Sequence, residues 1–265
     1  MPLHDLSDVT FIVPIFIDCP ERLRNLQSNL RHLTALFDTS ILIGEMTSPD
    51  EPPIHEELTE FSGRFQPLRV ENKGQGFHRT YLLNRLLQKV ETPLVCNLDC
   101  DAVFSTNQYL KTVQLLRWNL ADFVLPFRDS VVHIAAHNQA EFLTILKERI
   151  PDEAEIQRLA EEVWNMNSVG GAIFGKTQIY RDCGGENENF IGWGWEDNER
   201  MARFEKLEYK IERLAGSFYH LNHPRGETSS RAHAHYVANQ KEFERIEQLT
   251  KQELSAAISQ WPWKR

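Results

Sequence analysis

The sequence predicts an α/β fold, with a mostly parallel central sheet flanked by helices, and three observations carry this. Short apolar runs alternate with segments of helical periodicity through the first half of the chain, the pattern of βαβ units. Those runs are continuously apolar rather than alternating, as strands covered on both faces are. One of them, residues 93–98, runs directly into Asp99-Cys100-Asp101. That places two carboxylates at the carboxyl end of a strand, where open α/β sheets bind ligands.

In chain order, residues 9–15 (VTFIVPI) form a β-branched run interrupted near its end by Pro14, which predicts a buried parallel strand. From residue 21 to 37, Leu23, Leu26, Leu30, Leu33 and Leu36 make a helical stripe. Short strands follow at 41–44 and 67–70. Residues 77–90 read as a helix with Leu82, Leu83, Leu86 and Leu87 on one face, and 93–98 and 122–127 as strands. The polar region 138–163 reads as helical. Residues 170–174 (GGAIF) read as a strand entered by a tight turn, 195–207 as a helix, 211–219 as one strand, and 232–260 as a charged outer helix. No internal repeat or low-complexity linker interrupts the chain, so one domain over 1–265 is expected. It divides into a nucleotide-binding half (1–104), an acceptor half (105–230) and a helical tail (231–265).

The 265 residues are 41% hydrophobic and 25% charged, enough for a full core. The net charge of −9 opposes a nucleic-acid partner, which needs a basic stripe to neutralise phosphates. It leaves room for a nucleotide, since one metal ion and one arginine can balance two phosphates locally. The four cysteines, at 19, 96, 100 and 183, form no CxxC pair and read as reduced thiols. No signal-peptide pattern and no apolar run of about 20 residues is present. The expectation is a cytoplasmic protein with no membrane span, open to peripheral contact with a lipid-linked acceptor.

Four segments can carry chemistry. Asp99-x-Asp101 offers two carboxylates to one hard cation that phosphate oxygens also hold; alone, it is equally a solvated loop. Residues 190–198 (FIGWGWEDN) pack aromatic faces, glycines and two acids together. Trp193 and Trp195 suit the C–H faces of sugar rings, and Glu196 or Asp197 can serve as a general base. The same acids also suit a helix N-terminus. His220-x-x-His223 after a strand offers imidazoles to the metal, or is a pair of surface histidines. Asn72-Lys-Gly-Gln-Gly76 is a phosphate-cradling turn or a plain one. His233 and His235 read as solvated.

Taken together, these segments resemble the β-1,4-galactosyltransferase family and its bacterial relatives, enzymes of the GT-A fold. GFHRTYLLN at 76–84 is similar to the family's FNRAKLLN helix. Asp99-Cys100-Asp101 matches its DxD, and Gly170-Gly171 its GG turn. GGENENFIGWGWEDN at 184–198 matches GGFxNxxxGWGxED. The likeness is collinear from about residue 9 to 225. Chondroitin-polymerase-like and polypeptide GalNAc-transferase-like domains share the same parts.

The resemblance implies roles. Asp101 and His223 bind Mn2+ (or Mg2+), with Asp99 supporting the ribose or metal shell and His220 standing where the family has a Met ligand. Pro14, Phe16, Asp18, Phe77, Arg79 and Gly171 contact the nucleotide-sugar. Trp193 contacts donor and acceptor, Asp197 is the base, and Glu196 binds hydroxyls. Three segments depart from the family. Phe16-Ile17-Asp18-Cys19 replaces FRNR, Trp195 replaces a glycine, and Ser168 replaces a bulky aromatic before the GG turn, which implies a roomier donor pocket near sugar C2. The expected activity is inverting transfer of a hexose or N-acetylhexosamine from a UDP-sugar to a saccharide or glycoconjugate acceptor. The rivals are an idle sugar- or nucleotide-binding protein of the same fold, and a nucleotidyltransferase. The latter usually shows a Gly-rich basic loop that residues 13–18 lack.

Overall fold

The computed structural model describes residues 2–48, 50–72, 76–165, 167–224, 226 and 231–264. The chain opens with β1 (His4–Ile15), α1 (Pro20–Leu36), β2 (Phe37–Thr47), β3 (Gln66–Glu71), α2 (Arg79–Lys89) and β4 (Leu94–Leu98). Pro20 starts α1, where a missing N–H costs nothing. After the acidic triplet come β5 (Ala102–Val103), α3 (Thr106–Arg117), β6 (Phe123–Leu125), β7 (Val131–Ile134), α4 (Gln139–Glu148), α5 (Glu153–Leu159) and β8 (Ala160–Trp164). The remainder is β9 (Ala172–Lys176), α6 (Thr177–Asp182), α7 (Glu196–Lys206), β10 (Ile211–Arg213), β11 (Phe218–Leu221), α8 (Tyr236–Gln248) and α9 (Lys251–Ser259).

A seven-stranded sheet runs in the order β10-β6-β9-β4-β1-β2-β3. The pairs β3–β2, β2–β1, β1–β4 and β6–β10 are parallel, and β9 alone runs against its neighbours β4 and β6. This is the expected mostly parallel sheet with helices against it. β4 is buried along its whole length, which is why its sequence is apolar without alternation. Phe11, Phe37, Phe104, Tyr109 and Phe174 meet edge to face in the core.

A second sheet, β5-β11-β7-β8, stands beside the first and forms one wall of the cleft described below. It is where the structure departs from the sequence expectations. The 211–219 segment is two strands in two sheets, broken at Gly216, whose φ of +125° no other residue adopts cheaply. The polar 138–163 region ends in a strand, β8, whose largely exposed residues lie at the edge of the second sheet. The tail bends at Leu249, where Thr250 caps α9 through a reciprocal pair of bonds with Glu253. Residues 73–75 of the predicted phosphate turn lie outside the described residues.

Candidate active site

The turn that follows β4 is pinned from three sides. The Asn29 amide, buried on α1, donates to the carbonyl of Ala102 (2.9 Å) and reaches those of Asp99 and Cys100 (3.3 Å each). The Asp99 N–H donates to Gly171 O, and the Leu221 N–H donates to Asp101 O. β5 pairs with β11, placing Ala102 opposite His220, while β7 places His133 opposite His220 from the other side. Sheet register therefore brings the Asp101 carboxylate against two imidazoles from about 120 residues further along the chain.

Ligand atoms of Asp101, His220 and His223 lie within 4.8 Å of one another. Nε2 of His223 is 3.1 Å from Asp101 Oδ2, and Nε2 of His220 is 3.8 Å from Oδ1. Nδ1 of His223 faces Pro224 O at 2.8 Å, which fixes its proton there and leaves Nε2 as the ligating nitrogen. Nδ1 of His220 faces Nδ1 of His133 at 3.2 Å, leaving its Nε2 towards Asp101 as well. One carboxylate and two such nitrogens suit a divalent first-row ion. Burial works to raise the Asp101 carboxyl, but His220, His223 and Arg22 outweigh it and hold it well below the usual carboxylate range. Burial works to lower His223, and Asp101 more than reverses it.

Asp99 is not in that group. Its Oδ1 accepts from Arg79 Nη2 at 2.6 Å and Nε at 3.1 Å. Burial nonetheless raises its carboxyl, because Asp101 and Asp197 stand nearby and offset the guanidinium. Arg79 bridges onward, with Nη1 3.5 Å from Asp197 Oδ1. Asp197 sits in the first turn of α7 and also receives Arg200 Nη2 on Oδ1 at 2.6 Å.

Glycines make the space around this carboxylate. A Cβ on Gly170 would lie 2.5 Å from Asp197 Oδ2, and one on Gly171 2.5 Å from the Phe218 ring. Trp195 caps α7 in a left-handed conformation (φ 72°), which is costly for a non-glycine residue and typical of functional sites. Its indole stacks on Phe243 of α8. Trp193, 39% exposed at the mouth, lies parallel to Tyr236. His233 was expected to be solvated, but it is half-buried: Nε2 faces Trp193 O at 2.6 Å and fills the space beside Gly192.

Glu196 is 5% exposed and accepts the Gly194 N–H at 2.7 Å. Burial, with the Asp197 charge adding, pushes its carboxyl from 4.5 up to about 7. Between those values the folded chain binds more protons than the unfolded one, so this group removes stability as pH rises, with the loss complete above the folded pKa. The cost is on the order of 3 kcal/mol. Glu196→Gln is therefore expected to match the parent's urea midpoint near pH ~4 and to exceed it near pH ~8. A midpoint difference that stays constant across that range would contradict it.

The carboxylates of Asp99, Asp101, Glu196 and Asp197 and the imidazoles of His220 and His223 open on one cleft of about 370 Å³. Pro14, Phe16, Phe77, Arg79, Asp99, Asp101, Gly171, Trp193, Glu196, Asp197, His220 and His223, each anticipated from sequence, line it. Phe16 and Phe77 stack at one end, 5.8 Å apart. Asp18 does not line the cleft and is bound to Arg22 Nε at 2.8 Å. Arg22, His133, Trp164 and Arg200 were not anticipated. His133 sits within an apolar strand, and cross-strand register alone makes it a neighbour of His220. Arg200 follows Asp197 at helical i+3 spacing, a legible signal.

Residues 153–224, well under half the chain, match the family model described as the N-terminal domain of galactosyltransferase. That span holds the GG turn, the FIGWGWEDN segment and both histidines that face Asp101. No curated protein matches the sequence. Among solved structures, the catalytic domain of Drosophila β1,4-galactosyltransferase 7 in complex with xylobiose is similar at 12% identity. That match covers 94% of this chain and 82% of that one, with a TM-score of 0.50. S. aureus TarS (residues 1–349) is similar at 12% identity over 93% and 68%, with a TM-score of 0.55. The fold is that of the GT-A glycosyltransferases. At 12% identity these likenesses speak for the GT-A architecture alone.

Proposed function

We propose that the chain is an inverting, metal-dependent glycosyltransferase. It moves a hexose or N-acetylhexosamine from a UDP-sugar to a saccharide or glycoconjugate acceptor. The observation that carries this reading is one cleft holding both a three-ligand cation site and a carboxylate clamped by two guanidiniums. A binding protein needs no such carboxylate. Phe16 and Phe77 offer a stacking surface for the base, and Trp193 with Tyr236 offers one for sugar rings.

Asp101, His220 and His223 would hold Mn2+, or Mg2+ in its place, and the ion would neutralise charge on the departing diphosphate. The chain's own residues do the rest. Asp197 takes the proton of an acceptor hydroxyl as that oxygen's lone pair forms the bond to the anomeric carbon. The anomeric bond to the diphosphate breaks on the opposite face, and its electron pair leaves with UDP. Glu196 orients hydroxyls. Arg79 holds Asp99 and Asp197 apart in charge, so that both remain usable in a small buried volume.

A screen of UDP-sugars with Mn2+, reading UDP release and thermal stabilisation, tests the reading. Stabilisation with turnover supports transfer. Stabilisation without turnover points to a binder, and pyrophosphate exchange from a nucleoside triphosphate to a nucleotidyltransferase. Among the described residues no helix is long and apolar enough to cross a membrane.

Ser168 lines the cleft beside the GG turn. UDP-GalNAc or UDP-GlcNAc is therefore expected to serve at least as well as UDP-Gal, and Ser168→Tyr to shift the ratio of kcat/KM towards UDP-Gal by about tenfold or more. Exclusive use of UDP-Gal by the parent in competition would reject this.

A further inference from the structure

We propose that Arg200, backed by Glu186, is a positioning residue that fixes the plane of the Asp197 carboxylate, with one oxygen anchored and the other held towards the acceptor. This rests on the reading of Asp197 as the base. Arg200 and Glu186 are 1% and 2% exposed. Nη1 of Arg200 lies 3.1 Å from Glu186 Oε1 and 3.3 Å from Oε2, while Nη2 lies 2.6 Å from Asp197 Oδ1. The buried Tyr180 hydroxyl donates to Glu186 from behind.

A buried ion pair is seldom the most stable way to fill a core, because desolvation offsets its attraction. The pair therefore calls for a purpose other than packing, and its geometry supplies one. Both guanidiniums that reach Asp197, those of Arg79 and Arg200, go to Oδ1. Among the described residues none donates to Oδ2, which lies over Gly170 where any Cβ would collide with it. The plane of a carboxylate rotates broadly about its last bond, and its two oxygens are equivalent until one of them is anchored. Arg79 alone holds it loosely, at 3.5 Å, and is itself committed to Asp99. Arg200 is fixed by Glu186 and so cannot follow Asp197 if it turns. It makes Oδ1 the anchored oxygen and Oδ2 the working one.

The test removes the pair without leaving a lone buried charge. In Arg200→Met/Glu186→Met, folding and the Mn2+ and donor dissociation constants are expected to stay within about twofold of the parent, while kcat falls about 30-fold or more. A crystal structure of the double variant is expected to show the Asp197 carboxylate turned away from Gly170. Arg200→Lys, whose ammonium still reaches Oδ1, is expected to recover part of the rate. A purely structural pair would move the melting temperature and leave the kcat-to-KM balance and the carboxylate in place. A parent-like kcat, or an unmoved Asp197, overturns the proposal. Should the double variant not fold, Glu186→Gln carries the same two readouts. If the parent transfers no sugar from any donor, the base assignment falls, and the carboxylate's orientation in the variant still decides the role of Arg200.

Discussion

Asp197→Asn is expected to lower kcat by about 10²-fold or more, with donor affinity little changed, the signature of an interaction made in the transition state. The substitution is close to isosteric here. The asparagine carbonyl can keep the Arg200 and Arg79 bonds on the Oδ1 side, which leaves its NH2 over Gly170 in place of the basic lone pair. Glu196→Gln, by contrast, alters a buried group bonded to the backbone of the GWG turn and is expected to weaken substrate binding too. Single-turnover rates and donor titrations separate the two. Near-parent turnover in Asp197→Asn, alongside a dead Glu196→Gln that binds normally, would reverse the roles.

Removing the metal is expected to have an effect of similar size. EDTA should abolish donor turnover and Mn2+ restore it. Asp101→Ala should weaken Mn2+ binding by at least about a hundredfold, since it deletes the one anion that both imidazoles face. UDP-sugar affinity should fall with it. Because Asp101 favours the protonated form of His223, an incoming ion must displace a proton, and Mn2+ affinity should rise as pH rises through and above the ordinary imidazole range. Titration calorimetry at several pH values reads both effects. Full activity of Asp101→Ala in metal-free buffer would sink the metal assignment.

The central strands were legible because burial on both faces leaves a continuous apolar run, as in β1 and β4. α7 was legible because acids gather at its start. α3 escaped notice although Ser105 and Gln108 form a capping box, a pattern readable in sequence. β8 (AEEVW) reads as helix in the sequence because an edge strand is free to carry acids on its open face. In the site, the residues of short motifs could be found, while His133 and Arg22 could not. Their neighbours are set by strand pairing and by the turn into α1, neither of which leaves a local spacing. Arg200 follows Asp197 at helical i+3 spacing and could be read, while Glu186, which meets it from outside α7, could not.

The tail grips α7 at both ends. Tyr236 and Phe243 of α8 lie against Trp193 and Trp195 at its start, and Lys206 near its end donates to the carbonyls of Ile246, Glu247 and Leu249. Between them, Arg203 sits over the Trp261 ring. The helix that carries the proposed base is thus a beam clamped at two points, unable to slide or tilt without unseating the last 30 or so residues. A chain that stopped short of α8 would lose both clamps on α7, and with them the alignment of the carboxylate proposed as the base.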